Sequence, residues 1–477
     1  MNLLLKIAFR NMLRNLRRSL MTGSAVAAGA LSLLLFGGFA AYIFAGLETN
    51  NVQRIGHLTV FRSGYFLLGA GNPAAYGIDG YEDVMSLIQH DPVVGPMINV
   101  ITPTQSLVGI AGNFSGSVEA SKTFLGTGLI PSNRERMRQW DEFRASAGYV
   151  PDRRMSDDDP SRGEIGVGLA RVLGLCEPLG LHGCPPLPAA QPSPAEAASV
   201  NRAPAAGAPQ PDLTDLAARD LAAGAEGSNP TPQIDLLAAT AGGAPNVVQL
   251  AVGGAEPQGV KELDDNFVAM PLGLAQQLVY GRGEHKATGI VLQLHRSEDL
   301  PAARARLTTL FRQKRLDLEV RDFGELSPFY GQVKKMFSAI FLFIALVMGV
   351  IVLFAVVNTM TMNVMERTNE VGTIRALGVR RAGIRSQFTV EGVLIGAIGA
   401  TVGAVLALAV AALINSAGLT WIPPGNATAV PLKLDVAGRA ALVGGAWLGL
   451  AIVTTLAALL PANRAARLPV VDALRHV

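Results

Sequence analysis

Charge is what this 477-residue chain has little of: Asp, Glu, Lys and Arg together make up 16% of it. Soluble domains carry about a quarter charged residues, so this balance points to a membrane. The net charge of +3 is too small to call for nucleic acid, and the placement of the charges says more than their sum. Two cysteines, Cys176 and Cys184, allow one disulfide and exclude a disulfide-rich scaffold. Catalytic signatures are missing too. No G-x-x-x-x-G-K-[ST] occurs, and "GNFSGSVEASKT" lacks the Gly-Lys pair that would hold a phosphate, so the chain is not expected to bind ATP in the Walker manner. There is no H-E-x-x-H and no G-x-S-x-G, and the six histidines are scattered, so no metal site and no catalytic residue is assigned.

Long apolar runs are present. Four are long enough to span a bilayer at roughly 20 residues each: 20–47, 336–362, 388–414 and 441–462. The first is too long for the roughly 7–15-residue core of a signal peptide, which favours a retained helix over a cleaved leader. Residues 1–19 carry Lys6, Arg10, Arg14, Arg17 and Arg18 without an acid. The segment 363–387 holds five arginines and the tail 463–477 three. With four spans all three basic stretches fall on one side, so the positive-inside rule puts both termini in the cytoplasm. A short loop, 415–440, and a large region, 48–335, are then left outside. Lys334 and Lys335 sit on the less favoured side of that arrangement.

The N-terminal bases recur at helical intervals among Leu5, Phe9, Met12, Leu13 and Leu16. This fits an amphipathic helix at the cytoplasmic interface, or else a basic flank that only sets topology. In the large region, "GHLTVFRSG", "SLVGIAG", "NVVQLAVGGA", "NFVAMPL" and "GIVLQLH" have the composition of strands. "GEIGVGLARVLGL" has that of a strand entering a short helix, and 300–314 has helical spacing. A mixed α+β domain follows. An Ala/Pro-rich stretch at about 176–245 has too few large apolar residues to offset its ordering entropy and is expected to be a flexible insertion, with one weak helical pattern at 212–225. Cys176 and Cys184 flank its start on the oxidising side; a local disulfide pinning its entrance is the expectation, with two free thiols as the alternative.

The densest charge lies in "MERTNEVGTIRALGVRR", residues 365–381. Arg367 and Glu370 are a helical pairing distance apart, Val371, Ile374 and Leu377 form an apolar stripe, and Gly378 is a plausible C-terminal stop. Gly372 in mid-helix costs about 1 kcal/mol relative to alanine, which suggests that another surface comes close. The stretch is thus either a docking helix or a solvated loop that sets topology. In the third apolar run, Glu391 is a candidate for function, or a carboxylate reaching headgroups or capping a neighbouring helix. Gly392, Gly396, Gly399 and Gly403 give that run a small-residue face for packing against other spans or a second subunit.

"MERTNEVGTIRALGVRRAGI" resembles the segment after the second span in FtsX-like/MacB-like permeases of ABC transporters, through Glu366, Arg367, Glu370, Val371, Gly372, Ile374, Arg375, Ala376 and Gly378. "PANRAARLPVVDALR" is similar to the family's C-terminal ending, with one extra residue before the last Ala-Leu-Arg, and "IAFRNMLRNLRRS" to its N-terminal elbow. "IGHLTVFRSGY" and "GIAGNFSGSVEASKTFLGTGLIP" look most like the lipoprotein-releasing LolC/LolE branch, from which the cysteine-flanked insertion departs. The resemblance implies a bacterial inner-membrane permease with a large periplasmic domain between its first two spans. It implies a second permease subunit, identical or not, and a cytoplasmic ABC ATPase dimer that binds ATP and Mg and seats the charged helix; this chain has no cofactor of its own. It also implies a lipidated or periplasmic cargo, possible handover to an acceptor protein, and contact with membrane lipid. Efflux in a tripartite assembly or regulation of a cell-wall hydrolase is the alternative output.

Overall fold

The computed structural model describes residues 2–69, 71–114, 120–144, 154–181, 231–258, 261–281, 283, 285–422 and 430–469. The chain divides into two compact units. One comprises Met1–Thr49, Ser327–Trp421 and Ala429–Val477; the other comprises Asn50–Leu326 and Ile422–Thr428.

The first unit is helical: α1 (Asn2–Arg14), α2 (Leu16–Ile55), α3 (Pro328–Glu366), α4 (Thr368–Ala376), α5 (Arg381–Ser416) and α6 (Ala440–Arg467). Of these, α2, α3, α5 and α6 are long and apolar enough to cross a membrane. Each outruns the apolar stretch it contains. At 39 residues, α3 is roughly 58 Å long against a hydrocarbon thickness of about 30 Å, so hydrogen-bonded backbone continues where apolar composition ends. Val26, Ala30, Val352, Val356, Ile395 and Ala458 form the core where these four helices meet.

The glycines of α5 decide how close its neighbours come. A Cβ on Gly396 would collide with Thr454 of α6, and one on Gly392 with Ala458. A Cβ on Gly399 would lie 2.8 Å from Val26 Cβ, and one on Gly403 2.6 Å from Ala30 Cβ, both on α2. The small-residue face therefore packs on two helices of the same chain: its first half admits α6 and its second half α2.

The second unit is built on nine strands: β1 (Leu58–Arg62), β2 (Ile98–Asn113), β3 (Ala120–Leu129), β4 (Arg162–Gly166), β5 (Gln233–Ala239), β6 (Pro245–Glu256), β7 (Phe267–Pro271), β8 (Gly289–Leu294) and β9 (Leu318–Asp322). Their order is β3-β7-β4-β6-β5-β2-β8-β1-β9, and β3 also pairs with β2. That extra pairing closes β2, β3, β7, β4, β6 and β5 into a six-stranded ring. The first half of β2, from Ile98 to Thr104, pairs with β8; the second, from Gln105 to Asn113, pairs with β3 and in part with β5. One long strand thus belongs to a ring and to the four-stranded antiparallel sheet β2-β8-β1-β9. The ring is filled by Leu107, Phe124, Ile165, Leu236, Leu250 and Met270. Across the sheet, Leu58, Val60, Ile290 and Leu292 pack with Ile88 of the helix Tyr81–Gln89 and with Leu307 and Phe311 of the helix Leu300–Lys314. This unit mixes α and β elements throughout.

The insertion expected at about 176–245 needs correction at its C-terminal end. Residues 233–239 are β5, with Ile234, Leu236 and Ala238 buried in the ring and Gln233, Leu237 and Ala239 facing out. "QIDLLAA" alternates with the period of a half-buried strand, but its small residues and its Ala/Pro-rich surroundings concealed the pattern. The weak helical pattern at 212–225 lies outside the described residues.

Candidate functional site

The charged stretch forms α4, joined to α3 by Arg367. It ends as a glycine-terminated helix does: Gly378 has φ +93°, its N–H donates to Arg375 O at 3.0 Å, and Val379 N–H donates to Ile374 O at 3.3 Å. A β-carbon would strain that left-handed residue.

Two faces of α4 differ in environment. Val371 is buried with Val364, Ile384, Phe388, Ala462 and Ala465, where α3 and α6 end and α5 begins, and Ile374 packs against the same cluster. Gly372 is buried as well. Leu377, expected to continue that stripe, is 81% exposed. Steps of three residues turn a helix by 300°, so each successive side chain falls 60° behind; after two steps Leu377 lies 120° from Val371. The opposite face shows Asn369, Thr373, Ala376 and Leu377 to the outside, with exposed Met365 just before the helix.

Beneath α4, Arg367 and Glu370 of the motif join one network with Glu391 and the elbow. Arg367 Nη1 donates to Glu391 Oε1 at 2.9 Å, and Arg367 Nε donates to Glu370 Oε2 at 2.8 Å. Asn11 Nδ2 donates to the same Glu391 oxygen at 2.7 Å. From the N-terminal elbow, Arg14 reaches Glu370 at 2.6 Å and Arg18 reaches Glu366 at 2.5 Å. The Arg367 and Glu391 side chains are 8% and 6% exposed, and the guanidinium also lies 5.4 Å from the Phe388 ring centroid. Burial works against the Arg367 charge, but its hydrogen bonds and attraction to Glu370 and Glu391 outweigh burial and raise its pKa. For Glu370 burial again opposes the charge, and the bonds from Arg367 and Arg14 lower its pKa on balance. Arg375 Nη1 donates to Leu468 O, tying α4 to the end of α6.

Of the residues assigned to ATPase coupling, Arg367, Val371 and Gly372 therefore face inward and hold α4 in place. Ile374 and Arg375 are half-buried and do the same, whereas Glu366 and Gly378 are exposed. Glu370 is divided, with its side chain 43% exposed and both oxygens bonded to arginines. Glu391 does not reach outward to headgroups; it is a buried bridge between α1, α5 and the α3–α4 junction. Three pairings with the elbow escaped sequence reasoning: Asn11 with Glu391, Arg14 with Glu370 and Arg18 with Glu366. The only trace was that the elbow's cations and the α4 anions are complementary in sign.

In the second unit Cys176 is disulfide-bonded; Cys184 lies outside the described residues. Among the described residues no group of three or more His, Cys, Asp or Glu could hold a metal ion. A second charged cluster there holds residues 50–55, the end of α2 that belongs to this unit. Arg134 Nη1 donates to Gln53 O at 2.7 Å and to Arg54 O at 3.1 Å, and Arg138 pairs with Glu256 at 2.5 Å and with Glu164 at 3.4 Å. Desolvation there pushes Arg134 down to about 10.

Comparison with known proteins fits this helical arrangement. Residues 342–470 match the FtsX-like permease C-terminal family, so this part of the chain is an FtsX-like permease domain and the chain is a membrane protein. Among similar proteins are macrolide export ATP-binding/permease proteins MacB. That of Escherichia coli is 31% identical over 136 residues, 28% of this chain and 21% of the relative. That of Neisseria gonorrhoeae (strain ATCC 700825 / FA 1090) is 39% identical over 144 residues, 30% of this chain and 20% of the relative. The matches thus span about a fifth of those relatives' length.

Proposed function

We propose that this chain is the permease subunit of an ABC transporter, working with a separate cytoplasmic ATPase dimer and a second permease subunit. It transmits ATPase motion to a periplasmic domain that extracts or releases a lipoprotein or another amphiphilic cargo from the inner membrane. The observation that carries this reading is the combination of an FtsX-like domain with α4, a short helix pinned from below by a buried ion network and exposed on its outer face. The sequence has no phosphate-binding loop, so ATP and Mg belong to the partner and this chain is not itself an enzyme. In this reading the termini and α4 face the cytoplasm, where the basic flanks place them. The test is capture of an ATPase by the tagged full chain, with Leu377→Asp on the outer face as the variant. Loss of the ATPase without loss of folded protein is expected; undiminished capture would refute α4 as the docking element.

A second reading of the output is a role in tripartite efflux, or regulation of a cell-wall hydrolase; relatives named for macrolide export favour an export output. Photocrosslinkers at exposed Ile110 and Leu237, which are paired across β2 and β5, separate the outputs. Lipidated cargo supports the first; capture of only an outer-membrane duct or a hydrolase supports the second.

A further inference from the structure

An apolar cleft of about 380 Å³ runs along the first unit between α2 and α5, with Met12 of α1 at one end. Its walls include Leu16, Leu20 and Ala28 on one side and Ile398, Val402 and Leu406 on the other. It is over ten times the roughly 30 Å³ that one water occupies in the liquid, and its lining offers water almost nothing to bond. Ser19 and Ser24 donate their hydroxyls to Met12 O and Met21 O. From Leu20 to Leu31 the wall extends roughly 16 Å along the helix axis. This is an elongated, open apolar slot in helices that cross a membrane.

Charge at one end distinguishes its occupant. The elbow carries five cations, and two are neutralised inside the protein, Arg14 by Glu370 and Arg18 by Glu366. Arg10 and Arg17 are exposed and have no carboxylate partner among the described residues. They flank Asn15, where α1 gives way to α2, and Arg17 directly follows the cleft-lining Leu16. Exposed Phe9, Leu13 and Leu20 in the same stretch are apolar, as in a segment lying at the interface. We propose that the cleft holds one acyl chain of an anionic phospholipid, with the headgroup phosphate held by Arg10 and Arg17. The phospholipid then fills the slot beside the elbow, whose other side bears the network that positions α4.

The experiment is native mass spectrometry of the full chain released from nanodiscs of equimolar phosphatidylglycerol and phosphatidylcholine. The wild type is expected to retain phosphatidylglycerol in preference. Arg10→Gln with Arg17→Gln should lower that preference by about fivefold per arginine, the worth of one cation at an anionic surface. Ala28→Trp and, from the opposite wall, Val402→Trp should remove the retained lipid of either kind; both positions are exposed, so neither disturbs the helix core. Equal retention of the two lipids, a preference unchanged by the arginine variants, or retention unchanged by both tryptophans would each overturn the proposal. So would a second copy of the chain that both tryptophans displace, because the cleft would then be a subunit interface.

Discussion

Glu391 shows how one buried group can be tested by removing it and by removing its partner. Glu391→Gln takes from the buried Arg367 guanidinium one of its two counter-charges, leaving Glu370, which costs on the order of 1–3 kcal/mol. The thermal midpoint of the detergent-solubilised chain should fall accordingly. Pairing Arg367→Met with Glu391→Leu should restore much of the loss, because two apolar groups need no counter-charge. If the double variant is as unstable as the sum of the singles, the two residues do not interact as the geometry has them. In the second unit, His57 is fully buried. Its Nδ1 accepts from Leu294 N–H at 3.0 Å, so the ring proton sits on Nε2, which donates to Ser297 Oγ at 3.1 Å. Burial pushes His57 down to about 4. Its folded pKa is below the unfolded value of about 6.5, so its contribution is complete above pH 6.5 and is lost as pH falls towards 4. Unfolding of the wild type should become easier across that window, and His57→Gln should flatten the slope even if it lowers stability at every pH.

Among elements, α4 is where reasoning from sequence succeeded and failed within a few residues. Its existence and its stop at Gly378 were legible because both are local, set by periodicity and by a backbone angle that only glycine adopts without strain. Its orientation was not. Which face turns inward depends on Asn11, Arg14 and Glu391, and Asn11 lies 380 residues from Glu391. The consequence is measurable: Glu370→Lys strikes both the inner network and the outer rim, whereas Thr373→Asp touches only the rim. Glu370→Lys should lower thermal stability as well as ATPase capture, and Thr373→Asp should lower capture alone. Equal thermal midpoints for the two would show that the network does not hold the helix. The glycines of α5 teach a similar lesson. Their spacing announced close packing, but not that one half serves α6 and the other α2. Gly396→Leu should disrupt the pairing of α5 with α6, read as loss of folded protein on extraction.

For the whole molecule, the four long apolar helices and several strands could be recognised from composition, and the ring could not. Closure depends on β2 meeting β3 along one edge and β5 along the other, and on parallel pairs such as β3 with β7 whose members are far apart in sequence. No local pattern encodes that. It explains why β5 was absorbed into a stretch expected to be flexible: read alone it is a weak strand, and only its neighbours make it necessary. Deleting residues 233–239 should open the ring and abolish folding of the second unit, detected as rapid proteolysis between 50 and 326. A full-length, protease-resistant product would mean that the ring closes without β5.

The shared strand β2 also has a thermodynamic meaning. Because its two halves line different cores, the ring cannot melt without exposing the end of the sheet, nor the sheet without unpinning the ring. The second unit should therefore unfold as one cooperative body, and the amides at the crossing from Thr104 to Leu107 should be among the last in the chain to exchange with deuterium.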